Sequence, residues 1–176
     1  MDELIGEIDR ELQAGREPCC DEHKSQSERQ QFIEFLLNEV VLAIRLSSAL
    51  EICPSYEITP LPNLPEGVLG VCNIRGEIIS VVDLKRYLRM SAGGFNAPNP
   101  LIVIRSNVLK TAIMVDKIQG LLSVVQFDPR LQASPIAAKE ISPYLSGVFA
   151  SGDRLVHLIS SEKLLSALRG SAFKAE

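Results

Sequence analysis

The chain has no tryptophan, only two histidines, and six Phe and three Tyr as its remaining aromatics. That leaves few of the side chains from which catalytic and metal sites are usually built. Positive charge is not in surplus. Lys and Arg total 18 against 22 Asp and Glu, a net of −4, so nothing offers to neutralise phosphates and nucleic acid is a disfavoured partner. No apolar run approaches the roughly 18 residues a spanning helix needs, so direct membrane insertion is not expected. The N-terminus is acidic from Asp2 onward, unlike a secretory signal. The four cysteines, Cys19, Cys20, Cys53 and Cys72, show no paired CxxC spacing and read as reduced thiols of a cytoplasmic protein. What is present is 46% apolar and 23% charged residues over 176 positions, the composition of a folded globule of ordinary domain size.

Charge is unevenly spread. Residues 1–30 hold nine acids and four bases, a net of −5, whereas 31–176 are nearly balanced. Residues 1–29 therefore read as an acidic extension. Leu4, Ile5, Ile8 and Leu12 recur at helical spacing within it and predict a short amphipathic helix, followed by a polar linker. Such a helix is marginal alone. Cys19, Cys20 and His23 lack a fourth ligand at a workable spacing, so no metal is expected there.

From residue 31 the sequence changes to short β-like runs. Residues 32–37 and 40–46 flank Asn38-Glu39 as a hairpin. Further strands are predicted at 49–53, 67–74, 77–82, 101–106, 108–115, 118–126, 145–150 and 154–159. Asp83 is placed to cap a short helix presenting Leu84, Tyr87 and Leu88. Ser160 or Ser161 starts another, presenting Leu164, Leu165 and Leu168 and ending before Gly170. The stretches from Gly93 to Pro100 and from 128 to 143 read as loops. Many short strands with few helices predict a mainly β protein built as barrels or a sandwich. The domain proper spans 30–170, with a tail at 171–176.

No catalytic constellation emerges. No glycine-rich phosphate loop follows a strand. His157 alternates with Val156 and Leu158 and is expected on the opposite, surface-facing side of its strand. Asp83 and Asp116 both end apolar strands; paired carboxylates are conceivable, but caps of turns or helices are the simpler expectation. Cys53 and Cys72 lie in apolar strands and are expected to be buried.

The informative stretch is Gly70-Val71-Cys72-Asn73-Ile74-Arg75-Gly76-Glu77-Ile78-Ile79-Ser80-Val81-Val82-Asp83-Leu84. It predicts two strands joined by a tight turn at Gly76, with Arg75 forced outward where a guanidinium can meet a carboxylate. This stretch resembles the signature of the CheW-like domain family, G-V-x-N-L-R-G-x-I-x-P-V-V-D-L. Gln31-Phe32-Ile33-Glu34-Phe35-Leu36-Leu37 resembles that family's opening strand, and Ala49-Leu50-Glu51-Ile52 its V-x-E-I. Ala112-Ile113-Met114-Val115-Asp116 resembles its G-I-x-V-D. Tyr144 to Gly147, Gly152 to Arg154 and Glu162 to Leu165 resemble its closing hairpin and helix. The likeness runs in order from about residue 30 to 168. Ser80 stands where the family usually has Pro, and Ala112 where it has Gly.

The resemblance implies two intertwined five-stranded SH3-like barrels with short helices around a shared core, no catalysis and no cofactor. It implies a cytoplasmic adaptor recruited to membrane-apposed arrays. Its partners would be the regulatory domain of the histidine kinase CheA and the cytoplasmic tip of methyl-accepting chemoreceptors. Carried over residue by residue, it implies a receptor-facing surface at Ala49, Glu51, Gly70, Arg75 and Leu121, with Glu51 and Arg75 close together. Val71 and Ile74 are the candidates for the kinase face, and both suit a core equally well. The same module in a pilus-driven or light-directed motility pathway, or a small ligand-binding β-barrel, are the alternatives.

Overall fold

The computed structural model describes residues 30–54, 56–90, 99–107, 109–124 and 141–172. The predicted N-terminal helix, the Cys19–Cys20–His23 group and most of both predicted loops lie outside the described residues.

Among the described residues, ten strands form two five-stranded sheets. Sheet one begins with β1 (Gln30–Leu37) and β2 (Val40–Arg45), joined by the Asn38-Glu39 turn with Asn38 at φ 53°. A 3-10 turn at Leu46–Ser48 carries the chain across to sheet two. That sheet contains β3 (Ala49–Cys53), β4 (Val68–Ile74), β5 (Glu77–Asp83), β6 (Leu101–Arg105) and β7 (Lys110–Met114). The chain then returns to sheet one as β8 (Lys117–Val124), β9 (Leu145–Ser151) and β10 (Arg154–Ile159). The orders are β8-β1-β2-β10-β9 and β3-β6-β7-β5-β4. Two pairings are parallel, β10 with β2 and β5 with β7, and each joins segments distant in sequence.

Three apolar clusters fill this frame. Cys53, Cys72, Ile74, Ile79, Val81 and Leu101 are among those packing on one side of sheet two. Phe32, Ala43, Phe149, Val156 and Leu158 pack on one side of sheet one. Between the sheets lies the largest cluster, nineteen buried side chains among the described residues, against nine and five in the other two. Alternate residues of β1 (Ile33, Phe35, Leu37) meet Ile102, Ile104 and Ile113 of sheet two there.

The helices close its ends. Asp83 Oδ1 accepts from Arg86 N at 3.0 Å and caps α1 (Leu84–Tyr87), which buries Leu84, with Leu88 beyond it, as predicted. Ser160 Oγ accepts from Lys163 N at the start of α2 (Ser161–Ala172), which buries Leu164, Leu165 and Leu168. Gly170 does not end α2; the helix runs on to Ala172.

His157 is a correction. It is only 2% exposed, and its Nδ1 lies 3.0 Å from Val41 O. Its side of β10 does oppose Val156 and Leu158, but that side faces the cluster between the sheets, shared with Ile159, rather than water. Asp83 and Asp116 do not form a carboxylate pair either. Asp116 Oδ1 lies 2.6 Å from Lys85 Nζ, and its Oδ2 accepts from Asn38 N at 2.6 Å. One carboxylate thereby ties the end of β7 to α1 and to the β1–β2 turn.

Lys85 is 4% exposed, so Asp116→Ala takes from a buried ammonium the carboxylate it pairs with. Asp116→Ala is expected to destabilise the fold by about 2–4 kcal/mol, read as a lowered urea midpoint at unchanged slope.

Candidate functional site

The motif around Arg75 folds as a β4–β5 turn. Arg75 and Gly76 take φ 51° and 85°, the pair of left-handed residues that a two-residue hairpin turn requires. Asn73 Oδ1 accepts from Gly76 N at 2.8 Å and holds the loop shut. The Asn-x-Arg-Gly spacing thus has a local reason: Asn73 braces the turn, Gly76 relaxes it, and Arg75 projects 79% exposed. Sequence reasoning found Arg75 and Gly76 but passed over Asn73, whose place three residues before the turn glycine was the available signal.

Arg75 meets Glu51. Its Nε lies 3.2 Å from Oε1 and 3.1 Å from Oε2. The sheet order makes this contact informative, because Glu51 belongs to β3 and Arg75 to the turn after β4, and these are the two edges of sheet two. The ion pair therefore joins edge to edge where no ladder does. With Arg75 largely in solvent it contributes no more than about 1 kcal/mol to stability. Its weight lies in geometry and charge display.

Gly70 has a structural role. The Thr59–Pro60 backbone crosses β4 here, with Thr59 N donating to Val71 O and Val71 N to Thr59 O. At φ 150°, a Cβ on Gly70 would stand 2.1 Å from Thr59 O. Ala49 is half-buried against the cluster between the sheets. Leu121 is 65% exposed on β8 of sheet one, across from Ile33. Among the five residues proposed for the receptor face, the described contacts bring Glu51 and Arg75 together, and Leu121 lies on the other sheet. Val71 is half-buried. Ile74 is corrected: at 3% exposure its side chain belongs to the sheet-two cluster and offers no surface. Exposed apolar side chains that sequence reasoning missed flank the ion pair along the chain: Leu50 and Ile52 either side of Glu51 on β3, and Ile78 three residues beyond Arg75 on β5. Edge position, invisible in the sequence, is what exposes the β3 pair.

The two departures from the family pattern are accommodated. Ser80 Oγ and Thr111 Oγ1 lie 2.7 Å apart across the parallel β5–β7 ladder, and Ala112 is fully buried. No group of three or more His, Cys, Asp or Glu able to hold a metal occurs among the described residues. No described helix is long and apolar enough to cross a membrane.

Beneath the ion pair lie Cys53 and Cys72, both buried as expected. Burial pushes the Cys53 thiol up, and the Glu51 carboxylate adds to the effect, opposed by a hydrogen bond with Tyr56 and by Arg75. Burial alone raises Cys72.

The CheW-like domain profile matches residues 31–169. The "Chemotaxis protein CheW" of Klebsiella aerogenes is 29% identical over 138 residues, covering 78% of this chain and 82% of that protein. "Protein FrzA" of Myxococcus xanthus is 28% identical over 145 residues, covering 81% and 89%. Among solved structures, the scaffolding protein TtCheW of Thermoanaerobacter tengcongensis superposes with a TM-score of 0.64 at 20% identity, over 75% of this chain and 89% of that one, a likeness of fold. The chain belongs to the CheW-like domain family.

A raised thiol pKa stabilises the fold below the unfolded-state pKa, and that contribution is lost as pH climbs toward the folded value. Cys53 and Cys72 are therefore expected to resist a disulfide reagent at pH 8 and react only on unfolding, with stability falling above about pH 9. Thiol titration with and without denaturant, and urea midpoints across pH 7–10, check both.

Proposed function

We propose that this protein is a non-enzymatic adaptor that couples methyl-accepting chemoreceptors to the histidine kinase CheA. The observation that carries the reading is the family match over 31–169, whose central motif is folded here as the braced Arg75 turn paired with Glu51. The names of the relatives, chemotaxis and scaffolding proteins, point the same way.

The mechanism is recognition by two faces. The receptor tip, a helical hairpin, is read by apolar anchors with charges setting register. Ala49, Glu51, Arg75 and Leu121 are its proposed contacts, with Gly70 acting through the backbone crossing it permits. The Glu51–Arg75 pair presents both signs where the two edges of sheet two meet, which suits a helix carrying complementary charges. The CheA regulatory domain takes the second face, with half-buried Val71 beside exposed Ile78 as its proposed contacts. Recruitment to receptor arrays from the cytoplasm follows from these partners. The likeness to FrzA, a relative not named CheW, favours one second reading: the same adaptor role in a different motility pathway.

Arg75→Glu turns the pair into two like charges at a solvent-exposed turn. Receptor-tip capture in a pull-down is expected to fall at least about tenfold, roughly 1.4 kcal/mol. The thermal midpoint should hardly move, and capture of the CheA regulatory domain should persist. Undiminished receptor capture removes Arg75 from the surface; loss of both captures with an intact fold contradicts the two-face mechanism.

A further inference from the structure

One row of residues runs in register across all five strands of sheet one: Gly120 of β8, Glu34 of β1, Ala43 of β2, Leu158 of β10 and Gly147 of β9. Residues directly opposite in a ladder share a face, so the row lies on the side of the sheet where Ala43 and Leu158 pack. Both edge positions are glycine. A Cβ at either would meet nothing within 4 Å, and Gly120 sits at φ 147°, a conformation that favours glycine. The row is therefore open at its ends, and its one polar member is a carboxylate.

Glu34 is 6% exposed, flanked in its ladders by Ala43 and Gly120. Its Oε1 is buried and accepts no hydrogen bond among the described residues. Arg154 Nη2 approaches this atom to 3.3 Å as an ion pair, from a side chain that is 54% exposed. A buried carboxylate is costly unless its lone pairs are filled. An open acceptor beside unfilled space is a seat for a donor that the chain does not itself supply. A single carboxylate is too few ligands for a metal ion. A planar guanidinium is already at hand and leaves Oε1 without a hydrogen bond. An ammonium is compact and carries three donors. Its slim aliphatic stem suits the apolar flank that Val41 and Leu122 provide on this face.

We propose that Glu34 is a binding site for a lysine side chain of a partner protein, which enters past Gly120 and donates to Oε1 as Arg154 moves aside into water. Arg154 is already largely in solvent, so its release costs little. The seat for an ammonium stands without the adaptor reading. Only the identity of the partner rests on that reading: Leu121, a proposed receptor contact, follows Gly120 on β8, which makes the receptor tip the source of the lysine.

The test titrates the full ¹⁵N-labelled chain at pH 7 with Nα-acetyl-lysine methylamide, with n-butylammonium and with 1-butanol. Both ammonium probes are expected to shift the amides of Glu34, Ala43, Gly120 and Gly147 saturably in the millimolar range, and 1-butanol is not. Glu34→Gln should weaken both at least about tenfold. It should not lower the urea midpoint, because the substitution also removes a buried charge. Arg154→Gln should tighten both several-fold by removing the competing cation. Unchanged ammonium binding in Glu34→Gln, or equal shifts with 1-butanol, overturns the proposal. Absence of any shift marks a seat filled by water or by Arg154 and also overturns it. A response to n-butylammonium without one to the lysine amide marks a free-amine site and overturns the lysine assignment. A lowered midpoint in both variants, with no tightening in Arg154→Gln, marks a purely structural ion pair and overturns the site. Ammonium binding at Glu34 in a chain that captures no receptor tip rejects the adaptor reading and leaves the seat standing.

Discussion

The structure depends on one constraint: the two sheets share the apolar layer between them. That layer holds more buried side chains than the two other clusters together, and it recruits Leu84, Leu88, Leu164, Leu165 and Leu168 from the helical segments. A five-stranded sheet of this size with a handful of inward side chains has little to offset the entropy of ordering its chain. Neither sheet is therefore expected to hold alone. The chain path enforces the same dependence, since sheet one is begun by β1 and β2 and completed by β8, β9 and β10 only after sheet two has been built. The Asp116 tie to Lys85 and to the Asn38 turn knits the halves further.

This arrangement suits a part whose work is contact. A double sheet with a shared core fixes surfaces on its two halves relative to each other. The Arg75 turn shows the same economy at small scale. Asn73 and Gly76 set the backbone, Arg75 reaches to the opposite edge at Glu51, and the charges end up displayed where main-chain groups of edge strands are also open. A pair so exposed adds little to stability, which frees it to be exchanged for a partner's charges.

Much of this was legible from residue order. The ten β runs, the caps at Asp83 and Ser160, the buried thiols and the proximity of Glu51 and Arg75 were all anticipated, the last through family resemblance rather than from spacing. What failed has a common cause. Period-two alternation predicts one wet face, but strands of a three-cluster core are covered on both sides. His157 was assigned to the surface for that reason, Ile74, left open between the kinase face and the core, joins the sheet-two cluster, and Glu34, buried on β1 with Arg154 Nη2 3.3 Å from its Oε1, shows the same two-sided burial. The exposed Leu50 and Ile52 are the converse case, because an edge strand is defined by what does not pair with it, which no local pattern records.

The claim of a shared core is tested most directly by native-state hydrogen exchange across a denaturant series. If the sheets stand or fall together, amides in β1 and β2 and amides in β6 and β7 converge on one opening free energy, equal to that of global unfolding. If the amides of one sheet exchange through an opening of distinctly lower free energy and smaller denaturant dependence while the other stays protected, the halves are separable and the account is wrong.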